Sequence, residues 1–414
     1  MISNSPLFTS YTLPNGATLP NRLVKAAMEE NLSNTNLEPD NALWNLYESW
    51  ARGGVGTMIT GNVMVDHRAM TGPGGVVLEE GTPLDGFRIW SSKAKVAGGK
   101  IIMQINHPGR QILAKLGGEV WAPSAVPVDI GNLSKLLGNP KAMTEKEILE
   151  TIQRFAKTSH LAMESGFDGV EIHAAHGYLI SQFLSPIANR RDDIWGGSLE
   201  NRSRFLLEVI RAVRKAVKPG FIVAVKLNSA DFQKGGFQFQ DAKEVIAKIQ
   251  TLGVDFIELS GGNYEAPAMQ GESRDGSTLA REAYFLDFAS EVAKTATVPI
   301  LVTGGIRRKQ IAESVLDSGV PLVGIATALA LNPNLPNDWK ENKEMYHSLP
   351  NPDWKSKTLK GLANMAMVRY QLNRLSQNKL PTVNVSPILR LLMDQFRLSK
   401  LTKRYRRWIH NIPN

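Results

Sequence analysis

Between residues 22 and 330, short apolar runs rich in β-branched residues alternate with longer segments of helical period. Eight runs read as strands: Arg22–Ala27, Thr57–Asn62, Ile101–Ile105, Gly169–His173, Ile222–Asn228, Asp255–Ser260, Pro299–Thr303 and Pro321–Ile325. Several are apolar on both faces, as in FIVAVKL, which suits parallel strands covered by helices. The segments Asn41–Arg52, Leu84–Ala97, Thr144–Ser165, Leu199–Val217, Gln240–Leu252, Glu282–Thr295 and Arg307–Ser318 repeat apolar residues at i, i+3, i+4 and read as helices. Thr144 and Glu147 have capping-box spacing, and Gly166, Gly253 and Gly319 sit where helices stop. The alternation predicts an α/β fold, a (β/α)8 TIM barrel over residues 1–335. An open doubly wound sheet is disfavoured, because no strand leads into G-x-G-x-x-G and its two edges would need cover. Asp66–Gly81 and Pro108–Met143 are Gly/Pro-rich insertions on the expected catalytic face. Residues 336–414 form a basic, mostly helical C-terminal extension, with helices predicted over Thr358–Leu380 and Pro387–Ile409.

Composition narrows the chemistry. Hydrophobic residues at 43% and charged residues at 21% exclude a disordered or fibrous chain. The absence of cysteine excludes disulfides, thiolate metal sites, iron–sulfur ligation and a cysteine nucleophile, so redox chemistry needs a borrowed cofactor. Without a basic-then-apolar leader or an apolar run of about 18 residues, a soluble, cytoplasmic protein is expected. The net charge of +9 is uneven: residues 353–414 hold 13 Lys+Arg against two acids, and the remainder is slightly acidic. That distribution disfavours nucleic acid as a partner and reads first as a solvated helix face or a homo-oligomer contact. Tyr405 and Trp408 among the cations keep a membrane surface open as a partner of the tail.

In a barrel, side chains at the C-terminal strand ends converge on one mouth. Here they include Ala27-Met28-Glu29, Asn62, Gln104, His173-x-x-His176-Gly-Tyr178, Lys226, Ser260, Asn263, Gly304-Gly305 and Ala326-Thr327. Two imidazoles three residues apart can polarise one carbonyl oxygen, and Tyr178 can supply a proton. A zinc site is the competing reading of the histidines, but it lacks a good third ligand. Lys226, in the apolar strand VAVKLN, needs an anionic or electron-rich partner inside the barrel. Gln104 offers donor and acceptor to a planar heterocycle, and the glycine pair offers bare backbone to an anion. The combination suits a flavin mononucleotide (FMN) across the mouth.

The motifs Leu19-Pro-Asn-Arg-Leu-Val-Lys-Ala-Ala-Met28, Gln104-x-x-His-x-Gly-Arg110, His173-Ala-Ala-His-Gly-Tyr-Leu179, Asn189-x-Arg-x-Asp-x-Trp-Gly-Gly-Ser-Leu-Glu-Asn-Arg202 and Gly304-Gly-Ile-Arg307 are similar to those of the old yellow enzyme family. These are FMN-dependent NADH:flavin oxidoreductases and ene-reductases. The resemblance spans roughly residues 5–335. It implies that Ala27, Met28, Asn62 and Gln104 contact the isoalloxazine, Lys226 lies near its N1–C2=O edge, and Gly304, Gly305, Ala326 and Thr327 lie around the phosphate. His173 and His176 are then expected to hold a substrate carbonyl and Tyr178 to be the proton donor, with NADH or NADPH as reductant, an activated alkene as substrate and no metal. An NADH oxidase, an amine dehydrogenase, or a non-catalytic protein binding anionic surfaces through its tail are the alternatives. Two positions depart from the pattern: Glu29 stands where Cys or Thr is frequent, and Thr327 where an arginine usually meets the phosphate. Without cysteine, the iron–sulfur architecture of the dienoyl-CoA reductase type is not expected. The WGGSLENR stretch is read as structural, Ser198 capping a helix while Arg202 and Arg204 tie it to the loop.

Overall fold

The computed structural model describes residues 3–267, 285–343 and 347–411. Eight parallel strands close on themselves: β1 (Leu23–Lys25), β2 (Thr57–Ile59), β3 (Lys100–Asn106), β4 (Gly169–Ala174), β5 (Ile222–Asn228), β6 (Phe256–Ser260), β7 (Ile300–Thr303) and β8 (Leu322–Ile325). Each pairs with its successor, and β8 returns to β1. No barrel edge is left open, which is why runs apolar on both faces are tolerated. Val223, Val225 and Leu227 of β5 pack outward in the main core. Ile222 and Ala224 point inward onto a floor shared with Val24, Ile102, Phe256 and Leu301. The two-residue period then sends Lys226 and Asn228 into the barrel above that floor. Leu13 and Leu19, beside the turn of an N-terminal hairpin, seal the floor from below.

The covering helices are α1 (Asn41–Arg52), α2 (Asp85–Ala94), α3 (Glu145–Glu164), α4 (Leu199–Ala216), α5 (Phe239–Ile249), α6 (Leu286–Ala293) and α7 (Lys309–Asp317). The Thr144–Glu147 capping box is formed, and Ser198 caps α4 by accepting from the Asn201 N–H. Arg202 and Arg204 donate to the carbonyls of Gly197 and Ile194, as the structural reading of that stretch expects. Gly166, Gly253 and Gly319 follow their helices with φ between 75° and 88°. The segment predicted over Gln240–Leu252 changes character at its end, where Gln250–Leu252 tightens into a 3-10 turn. Residues 282–284 of the predicted sixth helix lie outside the described residues. The two insertions are ordered: Val63–Met64 and Val76–Val77 extend the sheet beyond the end of β3, and Trp121–Ala122 pairs with Lys141–Ala142.

The extension contributes α8 (Lys357–Ser376) and α9 (Pro387–His410). Leu372 and Leu375 of α8 join the barrel's main core, and Asn45 of α1 donates to the Ser376 carbonyl. The arginines on the inner side of α9 are not a solvated face. Arg397 and Arg404 donate to the carbonyls of Asn31 and Ser33 in the loop after β1. Tyr405 is buried with its hydroxyl on the His67 carbonyl, and Trp408 packs edge-on to the His67 ring. The aromatic pair that suggested a membrane anchor therefore holds the loops after β1 and β2. Among the described residues, no helix is long and apolar enough to cross a membrane.

Between β1 and α1, Lys25 is fully buried, donating to the Ile59 carbonyl (2.8 Å) and the Tyr47 hydroxyl (3.2 Å), 3.6 Å from Glu30. Burial outweighs the pull of Glu30 and brings its pKa down to about 8. Lys25→Met should lower unfolding free energy by about 3–5 kcal/mol in chemical denaturation, because it strands the buried Glu30 carboxylate. Adding Glu30→Gln should recover part of that loss.

Candidate active site

The site is built from the polar layer above the apolar floor. Lys226 Nζ lies 2.6 Å from Glu258 Oε1, both buried, so the anionic partner the lysine required is a carboxylate on the next strand. Their register across β5 and β6 is direct. Gln104 spends its amide N–H on Glu171 Oε1 (2.6 Å), while its backbone N–H donates to Thr60. The second oxygens of Glu171 and Glu258 are buried, and the groups that act on them are the two carboxyls on each other and, for Glu258, the Thr303 hydroxyl. One proton between the two carboxyls resolves their contact. Burial and the Glu258 charge drive the Glu171 pKa well up, whereas the Lys226 ammonium outweighs the burial of Glu258 and brings that carboxyl down.

The histidine motif is shaped by its backbone. His176 and Gly177 follow β4 with φ of 60° and 74°, two successive left-handed residues that reverse the chain. A Cβ on Gly177 would sit 2.7 Å from Asn263 and 2.8 Å from the Gln111 carbonyl oxygen, so only glycine fits. The turn is held from outside: the His176 N–H donates to Asn228 (3.0 Å), and Gln111 and Gln182 donate to the carbonyls of His176 and Gly177. It returns Tyr178 to the cap of the short helix Leu179–Leu184, with its ring perpendicular to His173 at 4.9 Å. The two imidazoles are themselves 5.0 Å apart and nearly perpendicular.

Protonation follows from these contacts. His173 Nδ1 accepts from the Ala175 N–H (3.2 Å), which leaves the proton on Nε2. His176 Nε2 bonds to the Ser260 hydroxyl at 2.8 Å. Burial, reinforced for His173 by His176 and Lys226 and for His176 by Lys226, pushes both below the ordinary histidine value, His176 to about 3. Both rings are therefore neutral donors or acceptors at ordinary pH. The Tyr178 hydroxyl lies 3.4 Å from that of Tyr264 and also bonds Asn62. Burial above all, then Tyr264 and the Glu29 charge, holds its pKa well above the usual phenol range, so Tyr178 keeps its proton; Tyr264 is pushed up to about 12.

Glu29 joins three elements at the mouth. Its Oε1 accepts from Asn31 (3.2 Å) and from Thr71 of the loop after β2 (3.1 Å). Its Oε2 lies 3.8 Å from Arg369 of α8, whose other nitrogen donates to Asp394 of α9 (2.8 Å). Arg369 also acts on Tyr264, so the extension reaches the surroundings of the two phenols. Ala27, Met28, Gly304, Gly305 and Ala326 are half-buried and Thr327 is exposed, at the C-terminal ends of β1, β7 and β8. Gly304 and Gly305 have φ of 155° and 70°, which bare the backbone there.

Sequence reasoning assigned no role to Glu258, Tyr264 or Arg369. Glu258 carried the same signal as Lys226, a charge in an apolar strand; the other two carried none. Among the described residues, one group of side chains could gather a metal ion, Asp66, His67 and Glu79. Asp66 is taken up by Arg68 (2.7 Å), and Glu79 by His67 and Arg154.

The sequence profile of the NADH:flavin oxidoreductase / NADH oxidase family matches residues 6–345. An NADH-dependent flavin oxidoreductase of Hypocrea jecorina is 40% identical over 359 residues, 81% of this chain and 89% of its own. A protein of the same description from a Neonectria strain is 40% identical over 350 residues, 78% of this chain but 46% of its own, so the chain spans under half of that relative. In structure, a 2-naphthoyl-CoA reductase superposes with a TM-score of 0.74 at 26% identity, over 82% of this chain and 52% of that one. From motif, fold and profile alike, the chain belongs to the NADH:flavin oxidoreductase / NADH oxidase family.

Proposed function

We propose that the protein is an FMN-dependent NAD(P)H oxidoreductase that reduces activated C=C bonds. The observation that carries this reading is the pair of neutral imidazoles set against a protonated Tyr178 at the barrel's mouth, above a buried lysine and amide. The donor set fits the cofactor. Beyond its bond to Glu171, Gln104 has a second amide N–H and a carbonyl oxygen, and beyond its bond to Glu258, Lys226 has further N–H donors, for a heterocycle edge; Ala27, Met28 and Asn62 would border the ring, and Gly304-Gly305 would offer side-chain-free backbone to a phosphate beside Ala326 and Thr327. When bound, FMN would relay hydride from NADH or NADPH to the β-carbon of the alkene.

The chain's own contribution is positional and protic. His173 Nε2–H, and His176 fixed by Ser260 and Asn228, face a substrate carbonyl oxygen and stabilise the negative charge that grows on it. Burial strengthens both interactions, because no water competes for the same donors. Tyr178 holds the proton destined for the α-carbon, and Tyr264 and Asn62 fix its hydroxyl. Glu29 disfavours a tyrosinate there, while the Arg369 contact ties that carboxylate to the extension. At the position where the family resemblance leads one to expect Cys or Thr, a charged hub links the loops after β1 and β2 to α8.

The reading is tested by stopped-flow on purified protein carrying yellow flavin. Tyr178→Phe should slow reoxidation by an enone about 10²–10⁴-fold while flavin reduction by NADH stays within about twofold. Equal loss in both half-reactions would remove the proton-donor role. Because both histidines are held neutral, phenol binding should stay level as pH falls from about 8 to 5, where an ordinary histidine of pKa about 6.5 would gain charge. His173→Ala should weaken that phenol complex; a spectroscopic titration with a midpoint near 6.5 in the unaltered protein would contradict the neutral pair.

A further inference from the structure

The outer face of α9 has no role in the reading above. Of the sixteen large apolar side chains exposed among the described residues, eight lie between Leu359 and Phe396. Five of them, Ile388, Leu389, Leu392, Met393 and Phe396, are on the first turns of α9, and Leu392 and Phe396 are each 64% exposed. At 100° per residue these five fall on one arc of roughly 140°, and Lys400, Lys403, Arg406 and Arg407 continue along that same arc. The helix therefore presents one outward stripe, apolar over its first half and cationic over its second. Its inward side is occupied: Asp394, Thr402 and Tyr405 are buried, and Asp394, the only acid of α9, is paired with Arg369.

We infer that this stripe docks on an anionic lipid surface, its apolar half entering the headgroup–acyl boundary and its cationic half lying on the phosphates. The charge pattern selects the occupant. The stripe has no acid to meet the cations of a second copy of α9, whereas anionic headgroups neutralise them while the acyl region takes the apolar turns. A hollow of about 430 Å³ beside the stripe, lined by Lys400, Lys403, Arg404, Arg407 and Trp408 with Asn36 of the loop after β1, supplies cationic donors for a lipid phosphate. The opposite side of the same helix grips the loops after β1 and β2, which leaves the stripe turned away from the barrel.

The test is co-sedimentation of the flavin-loaded full chain with phosphatidylcholine vesicles that contain or lack phosphatidylglycerol. Binding is expected only to the anionic vesicles, and it should weaken as salt is added. Lys400→Gln and Lys403→Gln should each weaken it about fivefold, and Leu392→Gln combined with Phe396→Gln by at least about tenfold. Flavin absorbance and melting temperature should not change in these variants, since all four side chains are exposed. Absence of binding to anionic vesicles would overturn the inference, as would equal binding by the Leu392→Gln, Phe396→Gln protein. So would a dimer in light scattering that this double variant dissociates, which would assign the face to a second copy.

Discussion

The arrangement at the mouth depends on keeping one buried ammonium neutralised. Lys226 stands on an apolar strand inside a closed barrel, where an unpaired charge is prohibitive. Glu258 meets it at 2.6 Å, burial and the Glu258 charge keep the neighbouring Glu171 carboxyl protonated, and Gln104 donates to Glu171. Three strands besides β5 are thus tied into one polar layer on the apolar floor. The layer carries one positive charge and, with Glu171 protonated, one negative charge. The histidine turn is tied to the same strand as this layer through Asn228, two residues beyond Lys226.

Above that bonded layer stands a strained one. His176 adopts a left-handed conformation that non-glycine residues rarely take, and it is held there by Asn228, Gln111 and Ser260. The return for the strain is geometric: a six-residue stretch places the His176 imidazole 5.0 Å and the Tyr178 phenol 4.9 Å from the His173 ring. Burial keeps the imidazoles neutral and the phenol protonated, so the site offers hydrogen-bond donors rather than fixed charges. The carboxylate at Glu29 adds charge beside the phenols without solvating them, because Asn31, Thr71 and Arg369 surround it.

The extension changes how the barrel should be viewed. Its inner cations are spent on loop carbonyls and on Glu29, and Tyr405 fills the small core under the loop after β2. Helices α8 and α9 therefore brace the loops that border the site, and Arg369 transmits that bracing to the surroundings of Tyr178. The outer side of α9 is chemically distinct, with its apolar half left exposed. One helix thus separates a structural face from a face available to the environment.

The sequence by itself determined the barrel, because period-two and period-3.6 patterns are local and each of the eight strands and of helices α1–α9 appears within a few residues of its expected place, whereas the short helices Leu179–Leu184, Thr327–Leu331 and Leu335–Lys340 were too brief to show a period. It also marked Lys226, His173, His176 and Tyr178, since charges and imidazoles at strand ends stand out against apolar neighbours. Local pattern revealed the need for a partner to Lys226 but not its identity, although Glu258 in FIELS carried an equivalent signal. Tyr264 and Arg369 were invisible: the contacts that give them meaning join positions 86 and 340 residues apart, and no local period records such a meeting. The basic tail shows the same division. Its charge was plain from composition, but only the tertiary structure decided which cations face loop carbonyls and which face outward, because that depends on how α9 is rotated against the barrel rather than on its own sequence.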